Sequence, residues 1–258
     1  MLEFDSKTTR ILEDAYQGSD FTRRRRASFD ALDPRTGETI LDLGCGPGLL
    51  TLEFARAVGP DGNVIGVDPS DDMLQSARAL CGERQNIDLV KGSADTIPLP
   101  DATVDKAASV QVFEYISDLA QPLRELHRVL RPGGRLVIAD IHFNSLIWYS
   151  AYPERMSAML AAWDAHLADR AVPEHLPIDL AANGFRLERV VPVAFCDTQM
   201  RPDGLAKMTW HLMQAHAVQN SPMSPQEVRD WASEQTELAR TGGFFFAITQ
   251  YVCVATRQ

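Results

Sequence analysis

Between residues 40 and 140 short β-branched runs alternate with segments of helical period, and this alternation restricts the chain more than any other feature. Repeats of strand, helix and strand build a parallel sheet with crossover helices, an α/β fold. Ile40-Leu41-Asp42-Leu43 reads as the first strand, after the turn-rich Asp33-Pro34-Arg35-Thr36-Gly37. A helix from Leu49 to Val58 follows, stopped by Gly59-Pro60-Asp61-Gly62, and Val64 to Val67 gives the second strand. Asp71 and Asp72 stand in the first turn of the next helix, where acids suit the positive end of its dipole, with Met73, Leu74 and Ala77 on its apolar side. Leu89-Val90 is a short third strand, and Val104 to Val112 holds a fourth. Leu119, Leu123, Leu126 and Leu130 recur at three- and four-residue spacing, which predicts a helix stopped by Pro132-Gly133-Gly134. Arg135 to Ala139 is the fifth strand.

Past residue 145 the pattern changes to longer helices. Met156, Met159, Leu160, Trp163 and Leu167 share one helical face and read as core. Ser224-Pro225-Gln226-Glu227 is a capping box with proline at the first helical position, followed by the stripe Val228, Trp231, Gln235 and Leu238. Phe185 to Phe195 and Phe244 to Thr256 are aromatic and β-branched, so they read as two late strands with two helices between them. On the first of those helices Leu205, Met208, Leu212 and His216 form a packing stripe, which leaves Trp210 and His211 for other contacts.

Composition narrows the class further. Of 258 residues 45% are hydrophobic, with 16 Gly and 15 Pro, which excludes collagen-like and disordered chains. Cys45, Cys81, Cys196 and Cys253 are isolated, and no His/Cys cluster has metal-ligand spacing, so no disulfide framework or metal site is expected and a reducing, cytoplasmic setting fits. MLEFDSKTTR carries charge where a signal peptide is apolar, and no run approaches the roughly 20 apolar residues of a membrane span. A soluble, unexported protein is expected. The net charge of −10 argues against nucleic acid as a partner, since that affinity comes from Lys and Arg on phosphates. Arg23–Arg26 is the local exception, read mainly as a solvated helix face.

The chemistry sits in Asp42-Leu43-Gly44-Cys45-Gly46-Pro47-Gly48, between the first strand and its helix. Glycines there let the backbone turn tightly and approach a ligand, and the helix N-terminus supplies unpaired N–H donors. Asp68 ends the second strand roughly 20 residues on, where a carboxylate can accept from both ribose hydroxyls of a nucleoside. The dinucleotide pattern G-x-G-x-x-G needs glycine at 49, which is Leu49; Gly48 makes the pattern G-x-G-x-G. Asp42 also places negative charge where a pyrophosphate prefers cations. A nucleoside with a positive, amino-acid-like tail fits better.

With ILDLGCGPG (40–48), VIGVDPSDDML (64–74), KGSADTIPLPD (91–101) and ELHRVLRPGGRLVIAD (125–140), the chain resembles class I S-adenosylmethionine-dependent methyltransferases, in particular the ubiquinone/menaquinone C-methyltransferase-like (type 11) group. The resemblance covers residues 39 to 141. It implies a Rossmann-like doubly wound seven-stranded sheet, mostly parallel with an antiparallel last strand, plus helical lid insertions. It implies one methyltransferase domain over 1–258: an N-terminal lid at 1–38, a cofactor core at 39–145, and substrate-cap helices with the last two strands at 146–258. The implied cofactor is S-adenosyl-L-methionine. Asp42, Gly44 and Gly46 would contact its methionine part, with Cys45 and Gly48 as further cofactor contacts of the loop, Asp68 would hold its ribose, Pro69 and Met73 would pack near its adenine, and the backbone of Val110 and Gln111 would lie by the amino group. Relatives carry Gly-Asp-Ala where this chain has Gly92-Ser93-Ala94, so Ser93, or Asp95 if the loop shifts, would accept from the adenine amine, and Ala94 would contribute its backbone N–H.

The expected reaction is methyl transfer to a small-molecule acceptor, aromatic or a secondary metabolite, by in-line displacement. Glu114-Tyr115 and His142 end up near the crevice outside the strand ends; His142 is the candidate base, while Tyr16, Tyr115, Trp148, Trp210 and His211 are candidate substrate contacts. Two other classes stay open: an NAD(P)-dependent oxidoreductase and a non-catalytic nucleoside-binding protein. Ser109-Val110-Gln111-Val112 lacks the Asp/Asn-Pro-Pro-aromatic motif of nucleic-acid amino-methyltransferases, and the scattered cysteines do not suit an arsenite methyltransferase. The oligomeric state is open, a homodimer included.

Overall fold

Alternating burial decides where the sheet forms. The structure, a computed structural model, describes residues 18–258. Its strands are β1 (Thr39–Leu43), β2 (Asn63–Asp68), β3 (Ile87–Lys91), β4 (Val104–Val110), β5 (Leu130–Trp148), β6 (Phe185–Asp197) and β7 (Phe246–Arg257). Helices among the described residues are α1 (Ser19–Leu32), α2 (Leu49–Val58), α3 (Asp71–Cys81), α4 (Ala120–Val129), α5 (Pro153–Asp164), α6 (Val172–Ala182), α7 (Leu205–Asn220) and α8 (Pro225–Thr241), with a single 3₁₀ turn at Phe113–Tyr115. The strands form one seven-stranded sheet in the order β3-β2-β1-β4-β5-β7-β6, mostly parallel with an antiparallel pair. β1 pairs parallel with both β2 and β4. The chain therefore winds outward in both directions from the β1–β4 junction, the point where doubly wound sheets open a crevice at their strand ends.

The chain divides into two compact units. A sheet unit holds Arg25–Ile141, Ala171–Pro192 and Gln250–Gln258; a helical unit holds His142–Arg170, Val193–Thr249 and the described chain up to Arg24.

In the sheet unit Leu41, Leu43, Ile65 and Val67 share one core with Leu123 and Leu126 of α4 and Leu176 and Leu180 of α6. Strand alternation sends Ile40, Asp42 and Val64 to the opposite face, where α2 packs on β1 and β2 and against α3. Each such aliphatic side chain, fully buried, contributes about 1.5–3 kcal/mol. The leucine periodicity predicts α4 well, but the helix stops at Val129, before Pro132-Gly133-Gly134. Arg131 precedes a proline and so disfavours helix. Leu130 already pairs with Val104, and the next pair is Lys106 with Arg135, so residues 131–134 bulge out of β5. β4 ends at Val110 rather than 112, because Gln111 adopts φ +58 and turns the chain out of the strand. α6 has no forecast in its sequence pattern, which contains Pro173 and Pro177.

In the helical unit α5, α7 and α8 pack pairwise. The Ser224 box forms as predicted: its hydroxyl accepts from the Glu227 amide, and its own amide donates to Glu227 Oε2 at 2.7 Å. Trp148 sits edge-on to Trp231, Phe244 and Phe246, with ring centroids 4.9 to 6.3 Å away, and its indole N–H donates to Gln235 Oε1 at 2.9 Å. Both oxygens of buried Asp20 accept from the one Nη2 of Arg201, at 2.9 and 2.8 Å, and Arg201 Nε lies 3.6 Å from buried Asp197.

The Arg23–Arg26 run is only partly a solvated face. Arg24 is buried against the Phe21 ring and Arg25 pairs with Glu53 at 3.3 Å, whereas Arg26 is exposed beside Asp30. Arg23 is exposed, stacks on Phe195 and donates to the Ala194 carbonyl.

Candidate cofactor site

β1 hands the chain to α2 through the glycine loop. The amides of Gly44 and Cys45 both donate to the Val67 carbonyl, at 2.7 and 3.1 Å, so the loop is tied to β2 from its first turn. Its three glycines answer different demands. A Cβ on Gly44 would collide with the Val112 side chain, and one on Gly48 would stand 3.0 Å from Ala77 Cβ of α3. At Gly46 nothing lies within 4 Å, but the backbone has φ +52, which few side-chain-bearing residues adopt. The loop amide of Gly46 donates to Asp68 Oδ2 at 2.9 Å, and Ser70 N–H donates to Oδ1 at 2.9 Å. Each carboxylate oxygen of Asp68 thus keeps one lone pair beyond these bonds.

Asp42 lies in β1 with its side chain on the α2 face, where Thr51 donates to Oδ2 at 2.5 Å. Asp42 is 3% exposed and Asp68 is 7%. Among the described residues neither makes an ion pair; their bonds come from one hydroxyl and two amides. Burial, and then the charge of Asp68, push the Asp42 carboxyl up to about 6. Burial also raises the thiols of Cys45 and Cys81, which removes them as nucleophiles near neutral pH.

The remaining cofactor candidates all fall in the sheet unit. Pro69 is exposed and Met73 half-buried at the start of α3, where the Met73 amide caps onto Ser70 Oγ at 3.3 Å. Ser93 and Ala94 are half-buried in a turn closed by a Ser93–Thr96 bridge. Asp95 is exposed, and its carbonyl is held by Gln121 Nε2 at 3.0 Å. Gly92 N–H reaches the Asp68 carbonyl at 3.2 Å, which sets this turn beside the ribose candidate. Val110 and Gln111 are half-buried at the end of β4. Tyr115, also in the sheet unit, is 43% exposed.

Other candidates lie in the helical unit. His142 is half-buried in β5 just past the unit boundary. Trp148 belongs to the aromatic core described above and also lines a groove of about 500 Å³ with Ile147, Tyr149, Pro153, Met156 and Phe245. Trp210 carries Lys207 Nζ over its ring at 3.7 Å and has His211 against it at 4.7 Å. Tyr16 lies outside the described residues. No group of three or more His, Cys, Asp or Glu residues suited to a metal ion occurs among the described residues.

One buried acid escapes the motif reading. Asp140 closes the LVIAD run inside β5 and is 1% exposed; Glu114, already singled out beside Tyr115, sits in the 3₁₀ turn and is equally buried. The signal for Asp140 was present: the second strand, too, runs into an aspartate at its C-terminal end.

Residues 41–138 match a family model described as a methyltransferase domain. The sheet order and the glycine loop are similar to those of class I S-adenosylmethionine-dependent methyltransferases. The chain is 38% identical over 119 residues to the ubiquinone/menaquinone biosynthesis C-methyltransferase UbiE of Hahella chejuensis, covering 45% of this chain and 48% of that protein. A protein of transposon TN4556 from Streptomyces fradiae is 35% identical over 239 residues, covering 88% of this chain and 65% of its own length. The chain thus spans less than two thirds of either relative. Among solved structures, YcgJ of Bacillus subtilis superposes with a TM-score of 0.60 at 18% identity, covering 92% of this chain and 99% of that one. A SAM-dependent methyltransferase from Aquifex aeolicus gives 0.57 at 20%, covering 96% and 99%. These two are likenesses of fold. No described helix is long and apolar enough to cross a membrane.

Proposed function

We propose that the protein transfers a methyl group from S-adenosyl-L-methionine to a small-molecule acceptor. The observation that carries this reading is the Asp42–Asp68 pair: two buried carboxylates beside an open glycine loop, with no cation among the described residues to neutralise them. A nucleoside with a cationic amino-acid tail fits that donor set, whereas a dinucleotide pyrophosphate would face two negative charges. Asp68 would accept from the ribose hydroxyls, Asp42 and the loop backbone would hold the methionine part, and the Ser93-Ala94 turn would meet the adenine. The cofactor supplies a methyl group on a sulfonium, whose departure as a neutral thioether asks the protein mainly for alignment.

The chain's own work is then to hold, orient and exclude water. His142 is the proposed base, needed only where the acceptor loses a proton. If His142→Ala leaves turnover and its pH profile intact, that role is gone. Melting curves with S-adenosylmethionine, S-adenosylhomocysteine and NAD test the cofactor; stabilisation by NAD alone would defeat the proposal. Asp68→Ala should weaken S-adenosylhomocysteine binding at least tenfold by calorimetry, and unchanged affinity would remove the ribose assignment. Methyl-labelled cofactor incubated with a metabolite extract would name the acceptor.

A further inference from the structure

The turn that follows β4 is held from two sides by acids that the cofactor assignment does not use. Gln111 adopts φ +58, a left-handed conformation that strains a residue with a Cβ and persists only where neighbours enforce it. Its amide donates to the Ala139 carbonyl at 2.9 Å, and its side-chain amide lies 3.3 Å from both oxygens of Glu114. The next amide, that of Val112, donates to Asp140 Oδ1 at 3.1 Å. Val112 in turn projects the methyl group that a Cβ on Gly44 would strike. A continuous chain of contacts therefore runs from Asp140 inside β5, through the Val112 amide and side chain, to the first glycine of the loop.

We propose that Asp140 is a positioning residue for the cofactor loop: by accepting from the Val112 amide it fixes the turn at 111–112, and the Val112 side chain then sets how close the Gly44 backbone comes to β4. The bond needs an acceptor oxygen rather than a charge, which separates this role from general electrostatic attraction. This inference rests on the proposal that the loop holds S-adenosylmethionine, but part of its test does not.

Asp140→Ala and Asp140→Asn should be compared by calorimetry with S-adenosylhomocysteine and by amide exchange without ligand. Asp140→Ala is expected to speed exchange at least tenfold over residues 108–115 and 42–48, with α3 unchanged, and to weaken binding at least tenfold. Asp140→Asn, whose Oδ1 still accepts, should keep both within threefold of the parent. Exchange in the loop unaltered by Asp140→Ala, or Asp140→Asn as damaging as Asp140→Ala, overturns the proposal. A parent protein that binds no S-adenosylhomocysteine refutes the cofactor reading, while the exchange arm still decides the positioning. Should Asp140→Ala fail to fold, Val112→Ala removes the side chain that backs Gly44 and keeps the amide bond; an unchanged loop exchange rate there overturns the proposal as well.

Discussion

In the helical unit the buried acids Asp20 and Asp197 share the guanidinium of Arg201, and Glu234 is met by Arg155 at 3.1 Å. In the sheet unit Asp42 and Asp68 are as deeply buried, yet their bonds come from the Thr51 hydroxyl and the amides of Gly46 and Ser70. Burying a carboxylate without a counter-charge opposes folding, so the arrangement persists where another return offsets it. The difference separates two uses of buried charge. One closes a structure by itself; the other leaves the chain with a local field suited to a positive ligand.

Breaking the closed network should have the largest effect. Arg201→Ala leaves Asp20 and Asp197 buried without their cation and should cost about 3–5 kcal/mol in denaturant unfolding. A cost under about 1 kcal/mol would mean that the helical unit tolerates unpaired acids as the sheet unit does, and the contrast would fail. Asp42→Asn is the counterpart in the loop. It keeps an acceptor for Thr51 and removes the charge, so the ligand-free protein should be as stable as the parent or more so. Affinity for S-adenosylhomocysteine should fall about tenfold, or about 1.4 kcal/mol by calorimetry.

The smallest effects are those of pH, and the two units should respond with opposite sign. Burial lowers the His166 imidazole from its ordinary 6.5 to about 4, so the folded state favours the neutral ring. Its contribution is complete above 6.5 and is lost as pH falls toward 4. Asp42 moves the other way, from 3.8 to about 6: its contribution is complete below 3.8 and is lost as pH rises to about 6. Between pH 6.5 and 4, amide exchange around His166 should quicken while exchange in the 42–48 loop slows. The melting shift given by S-adenosylhomocysteine should be larger at pH 7.5 than at pH 5, because the ammonium group of its amino-acid tail favours the ionised Asp42. Parallel pH responses in both units would remove the distinction.

The sheet unit is legible in the sequence because its signals are local. Short alternating runs mark β1 to β4, Gly44 to Gly48 mark the loop, and an aspartate at the end of β2 marks the ribose candidate. What is not legible depends on distant chain segments. α6 carries two prolines, and its apolar residues Val172, Leu176 and Leu180 gain their meaning from the core they share with α4 and the sheet. Asp140 acquires a role through the amide of Val112, a residue that lies far away in sequence and adjacent only once β4 and β5 pair. The Arg23–Arg26 run reads as uniform, but its residues divide among a buried ring contact, an ion pair and solvent, because one helical turn presents them in four directions.

The three loop glycines also differ in what they would report under substitution. At 44 and 48, where φ is +72 and +84, the protein's own atoms, Val112 and Ala77, would also reject a side chain, so tolerance there measures packing on top of the backbone angle. Position 46 has no such neighbour, and a side chain placed there would project into open space next to Asp68. Once the cost of its backbone angle is known from the ligand-free protein, graded substitutions at 46 become a calliper: the size at which binding fails gives the clearance between this loop and whatever the protein holds.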